Sequence, residues 1–211
     1  MGLIRALVHS SIGKKLFVAA AGLLLCGFLV THLAGNLLLL VGPDAFNHYA
    51  EALEKNPLLI PAEIGLVGLF LLHILTSLTL KLKNRHARPV AYEAAASKGG
   101  RTPGSRTMAI SGILVLLFLI IHIKTFKFGD KSAGLFALVT RSFANAPYAL
   151  FYVLVMSAIG LHLSHGFSSA FQTFGVNHPK YTPLIKGTGL AIAAAIAGGF
   201  ALLPIWGCFL R

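Results

Sequence analysis

Acidic residues are scarce in this chain: six Asp and Glu stand against eighteen Lys and Arg in 211 residues. Charged residues together make up only 11% of the sequence, against 56% hydrophobic residues, and the mean hydropathy is +0.78. So little charge cannot clothe a soluble globule of this size. Cysteine is nearly absent too. Cys26 and Cys208 both lie inside apolar runs and form neither a CxxC pair nor a CxxCH. This excludes covalent c-type haem attachment and a cysteine-held iron–sulfur cluster. There is no flavin-binding fingerprint, and no internal repeat or low-complexity tract is evident.

What the chain does have is long apolar runs. Five of them, about residues 16–41, 62–82, 107–124, 148–172 and 184–208, can cross a bilayer at about 1.5 Å rise per residue. They read as spans I to V of one membrane domain covering 1–211. Residues 1–15, MGLIRALVHSSIGKK, form a basic amphipathic lead-in. The first run is too long for a signal peptide and lacks a small-residue cleavage site, so it is expected to stay in the protein. Between spans I and II, Asp44 reads as an N-cap and Asn56-Pro57 as a stop, which predicts a short surface helix. Residues 83–106 read as a polar loop punctuated by Gly and Pro, and 134–143 as a second surface helix.

The net charge of +12 would suggest nucleic acid in a soluble protein. Here the basic residues sit in links between spans, so topology, lipid headgroups or a soluble partner are the better readings, and no nucleic-acid partner is expected. Twelve of the eighteen Lys and Arg fall in the N-terminus, the II–III loop and the IV–V loop. The positive-inside bias therefore predicts a cytoplasmic N-terminus and a C-terminus outside.

Spans I to IV each carry an interior histidine: His32, His73, His122 and His162. A polar group at that depth is costly and faces a bundle interior. Counted from the cytoplasmic ends, His32 and His122 lie about 24 Å up, and His73 and His162 about 14–18 Å. The four thus sort into an outer pair, His32 with His122, and an inner pair, His73 with His162. Two imidazoles at one depth on different helices can clamp one haem iron from both faces. Two such haems across the bilayer would carry electrons along its normal. Small residues such as Gly22, Gly35, Ser111, Gly112, Gly160 and Gly166 give room for a porphyrin, although ordinary helix packing accounts for them equally well. Each histidine alone is also compatible with an interhelical hydrogen bond or with a proton relay in a haem-free transporter. His165, three residues from His162, competes with it as the span IV ligand on spacing alone.

The motifs THLAGN in span I, EIGLVGLFLLH in span II, FLIIH in span III and LHLSHGFSSAFQTFGV in span IV, with the opening SSIGKK, cover nearly the whole chain in order. This ordered set resembles the dihaem cytochrome b membrane-anchor subunit of the succinate dehydrogenase and quinol:fumarate reductase family. The resemblance implies an all-α, five-transmembrane-helix bundle binding two b haems, set in a bacterial cytoplasmic membrane. It implies axial ligation by His32 with His122 and by His73 with His162, and it favours His162 over His165. The implied partners are a flavoprotein subunit and an iron–sulfur subunit on the cytoplasmic side, membrane lipid, and quinone, with menaquinone the expected type. The subunit would transfer electrons between quinone and those partners, with no succinate or fumarate catalysis of its own.

Some relatives carry a glutamate, implicated in proton movement, two positions before the span IV ligand; here Gly160 stands there. Quinone chemistry needs polar groups near a haem, and on the outer side Asn36, Asn47, His48, Glu51 and Glu63 are available. A solvated helix cap and surface face would explain each of them as well. On the inner side Lys81, Lys83 and Arg106 could meet haem propionates or the iron–sulfur partner, or simply supply positive-inside charge. Two alternatives stay open: a dihaem subunit of another membrane dehydrogenase such as a hydrogenase, and the haem-free proton-coupled transporter.

Overall fold

A computed structural model describes residue 2, residues 10–87 and residues 102–210. Arg5 of the basic lead-in, and Arg88, Lys98 and Arg101 of the 83–106 loop, lie outside the described residues. Those described form helices and turns, with no strand among them. Five helices are long and apolar enough to cross a membrane.

Helix α1 (Ser11–Leu37) starts five residues before the apolar run because the Ser10 hydroxyl accepts the Gly13 N–H at 2.9 Å, capping the first turn. It runs on through a 3-10 turn, Leu38–Leu40. The short helix α2 (Pro43–Glu54) corrects the expected cap. Gly42, at φ 139°, holds the N-cap position, Pro43 opens the helix and Asp44 sits inside the first turn. Only glycine takes that φ without strain, while the Asp44 carboxylate still lies by the positive end of the helix dipole. Asn56 ends the link as a turn, its Oδ1 accepting the Leu58 N–H at 2.9 Å.

Helix α3 (Leu59–His86) is longer than expected at both ends. Pro61 falls in its first turn, where a missing N–H costs no intrahelical bond. Lys83, Arg85 and His86 occupy its last turn, where cations suit the dipole. Helix α4 (Pro103–His122) begins four residues earlier than the apolar run because Thr102 and Ser105 form a reciprocal capping box. A π turn, Ile123–Lys127, follows His122 directly.

Helix α5 (Leu135–Phe143) is the second short helix, and Asn145 caps α6 (Ala146–Thr173) by accepting the Tyr148 N–H at 3.0 Å. The fifth span, α7 (Thr182–Ile205), contains Pro204 and passes into a π turn at Trp206–Leu210.

Helix α6 is the axis of the bundle, packing on α7, α4 and α1. Close approach depends on glycines. A methyl at Gly189 would fall 2.8 Å from Phe167, one at Gly199 2.7 Å from Leu33, and one at Gly160 3.0 Å from the Ala197 Cβ. Helix α3 is different: it leans mainly on α1 and has no fully buried residue. Ile60, Ile64, Val67, Leu71, Leu75, Leu78 and Leu82 form an exposed stripe on it at helical spacing, as a lipid-facing side requires. His73, two residues from both Leu71 and Leu75, points the other way. At one end of the bundle Lys127 pairs with Glu63, joining the π turn after α4 to the second turn of α3.

The buried core lies toward that same end. Leu39, Phe46, Phe118, Phe143, Tyr152, Met156 and Leu203 belong to it, with α2 and α5 packed together as a cover. Asn47 fixes the cover, its Oδ1 accepting the Phe136 N–H at 2.9 Å beside Gly134 (φ 88°). At the neighbouring link the Asp130 carboxylate accepts the Ser132 N–H at 3.0 Å, which holds it below the usual carboxylate range. Asn47→Ala removes that bond, and we expect a loss of about 1 kcal/mol, read as faster proteolytic nicking of the 128–134 link in detergent.

Candidate functional site

The side chains of α3 cross a gap to reach α6, and the crossing point is a pair of histidines. The rings of His73 and His162 lie 6.4 Å apart, centroid to centroid, inclined at 71°. Between α1 and α4 the rings of His32 and His122 lie 5.9 Å apart at 88°. All four side chains are half-buried. His165 makes no ring contact with another histidine among the described residues; its Cβ instead abuts Gly104 in the first turn of α4.

The two pairs sit at two levels, and three helices give the same offset. On α4, Gly112 faces His162 and His122 lies ten residues on; on α1, Gly22 faces His73 and His32 lies ten residues on. On α6, Tyr152 touches His122 and His162 follows ten residues later. Ten residues rise about 15 Å. Counting from the expected span ends gives a smaller offset, because α1 and α4 begin five and four residues before those ends and so carry His32 and His122 deeper than counted.

Each imidazole has its own hydrogen-bond partner. His73 Nδ1–H donates to the Val18 carbonyl at 3.2 Å. Ser111 donates its own proton to the Thr107 carbonyl at 2.9 Å, so its oxygen accepts from His162 Nδ1 at 3.2 Å. His122 Nδ1 meets the Tyr152 hydroxyl at 3.2 Å. The Asn36 amide donates to the His32 carbonyl at 2.8 Å and lies 3.4 Å from His32 Nδ1. In three of the four the engaged atom is Nδ1, which leaves Nε2 for coordination. That division of the two nitrogens is the one metal-ligating histidines adopt.

The arrangement fits a bis-imidazole metal group on three counts. Metal–imidazole bonds of about 2 Å put the centroids of two clamping rings about 6 Å apart. Gly22 and Gly112 keep the flanks of His73 and His162 clear, since a methyl at either would fall 3.2 Å or 3.4 Å from an imidazole Cε1. Aromatic rings line the other pair: Phe28 and Phe200 lie 5.1 and 5.6 Å from His32, and Phe118 and Phe126 each 5.4 Å from His122.

The remaining expected residues scatter. Asn36 alone among the quinone candidates touches a paired histidine. His48 and Glu51 are exposed, Glu51 near Lys55 at 3.5 Å; Glu63 is taken up by Lys127, and Asn47 by the α5 backbone. Lys81 and Arg106 are exposed at the opposite end of the bundle, where Lys14 and Lys83 come together. A glutamate at position 160 would collide with Ala197 unless α6 and α7 separated. Residues that spacing did not reveal include Tyr152 and Tyr49, whose ring covers Gly35 one turn past His32. The one available sign was a tyrosine ten residues before His162, at the depth of the other pair.

Fold and site together define a multi-pass helical membrane protein with two levels of paired imidazoles in its bundle. Comparison with protein-family models, curated proteins and solved structures returns no match.

Proposed function

We propose that this chain is the dihaem cytochrome b membrane anchor of a succinate:quinone oxidoreductase, working as a quinol:fumarate reductase or a succinate dehydrogenase. The observation that carries the proposal is the approach of four histidines from four helices into two ring-to-ring pairs, one above the other. His73 and His162 would hold the inner haem, His32 and His122 the outer one, with Nε2 the nitrogen left free in His73, His122 and His162. Bis-imidazole haem b supplies one-electron transfer.

The protein's own part is positional. Val18, Ser111 and Tyr152 each engage one ring nitrogen, of His73, His162 and His122, and Gly22 and Gly112 hold the space beside His73 and His162. The resemblance of the ordered motifs supports the complex: a flavoprotein and an iron–sulfur subunit on the cytoplasmic side, lipid around the bundle, and quinone, menaquinone first, within the membrane. On this reading the membrane is the bacterial cytoplasmic membrane with the N-terminus inside. Asn36 is the quinone-side residue with the best placement, lying beside His32.

The test is a dithionite-reduced minus oxidised visible spectrum of the purified chain, with haem counted per polypeptide. Two low-spin b haems are expected. Protein without haem bands, made with haem available during expression, would sink the proposal and favour a haem-free transporter. Two haems without co-purification of a flavoprotein would instead favour the subunit of another dehydrogenase.

A further inference from the structure

Tyr152 poses a problem that packing does not solve. It is 4% exposed and sits among Phe118, Phe126, Phe143 and Phe151, with ring centroids 4.9 to 6.1 Å away. A phenylalanine would fill that place, and a hydroxyl at membrane depth is costly unless it is satisfied. Its oxygen is satisfied in one direction by His122 Nδ1 at 3.2 Å. In the other it meets the Tyr148 hydroxyl at 3.1 Å, which donates to Thr125 Oγ1 at 3.0 Å. Thr125 lies in the π turn that directly follows His122, and such turns recur at functional positions. The four groups form one continuous polar line leading away from His122.

From this line we infer that Tyr152 is a positioning residue for His122: its oxygen accepts the Nδ1–H and thereby fixes which nitrogen His122 turns toward His32. The inference rests on the haem reading above. A proton donated from the far side of an axial imidazole makes that imidazole a stronger electron donor to the metal. It thus favours the ferric state. The other level is built differently. His73 and His162 give their Nδ1 protons to a backbone carbonyl and to a serine whose own proton is committed to the helix. Tyr152 therefore tunes one level alone.

The test is potentiometric titration of the purified dihaem protein and of Tyr152→Phe, which keeps the ring and removes the hydroxyl. The haem lost in His32→Ala identifies the level concerned. In Tyr152→Phe that haem is expected to move to a more positive midpoint potential while the other stays put. The change should reach at most about tenfold in the ferric-to-ferrous ratio at fixed potential, which is about 59 mV for one electron. Should Tyr152→Phe fail to assemble, Tyr148→Phe carries the test, because it leaves the His122–Tyr152 contact and removes the hydroxyl beyond it. It should shift the same haem in the same direction by less. Unchanged potentials, or equal shifts in both haems, overturn the inference. A wild-type protein that binds no haem defeats the functional proposal instead, so the two failures are distinguishable.

Discussion

His73→Ala and His162→Ala should each yield a protein with one b haem in place of two, and both variants should lose the same haem. His32→Ala and His122→Ala should lose the other. The expectation follows from the pairing of rings at 6.4 and 5.9 Å across helices: removing one imidazole leaves its partner a single axial ligand. The two levels lie about 15 Å apart along the helices, far enough for one to survive the loss of the other. His165→Ala should retain both haems, since its ring meets none of the four. Haem counting with reduced-minus-oxidised spectra of all five variants reads the result. If His32→Ala and His73→Ala lost the same haem, the pairing would be wrong. A variant of any of the four that kept both haems unchanged would remove that residue from the ligand set.

The second large effect concerns glycines. In Gly22→Leu the new Cβ alone comes within 3.2 Å of His73 Cε1, and in Gly112→Leu within 3.4 Å of His162 Cε1. The rest of the leucine must go where an imidazole or its bound group stands. Overpacking of this kind costs about 1–3 kcal/mol, several-fold to about a hundredfold in occupancy. The haem of the His73–His162 level should therefore be depleted in both variants and the other retained. Gly27→Leu, on the same helix as Gly22 with nothing within 4 Å of its built Cβ, should keep both. Full haem content in Gly22→Leu and Gly112→Leu would mean that these glycines serve helix contact only.

The spans and their histidines were legible in the sequence because a bilayer imposes long apolar runs, and an imidazole stands out inside one. Depth counting alone sorted the four histidines into the same pairs whose rings the structure brings together. Boundaries were harder, since they depend on single hydrogen bonds: the Ser10 cap, the Thr102–Ser105 box, and Pro61 tolerated in a first turn. Asp44 looked like a cap by residue type, yet the backbone turn at Gly42 decides that position through its positive φ. The work of Gly22 and Gly112 was hidden because a small residue in a span fits close helix packing and cofactor clearance alike. Partners such as Val18, Ser111 and Tyr152 depend on side-chain rotamers across helices, which no spacing rule encodes. The outer polar residues mislead for a related reason. Glu63 and Asn47 look free in sequence, but Lys127 and the α5 backbone claim them.

The ten-residue offset between the levels also has an electrical meaning. About 15 Å is half of a hydrocarbon layer about 30 Å thick. On the proposed reading, an electron that moves between the levels crosses about half of the transmembrane voltage. A full crossing is worth about 2.3 kcal/mol per 100 mV. Half of it, about 1.2 kcal/mol, changes the distribution of the electron between the two levels about sevenfold. An energised membrane would therefore draw the shared electron toward its positive face, so the occupancy of the two histidine pairs would report the voltage across the bilayer.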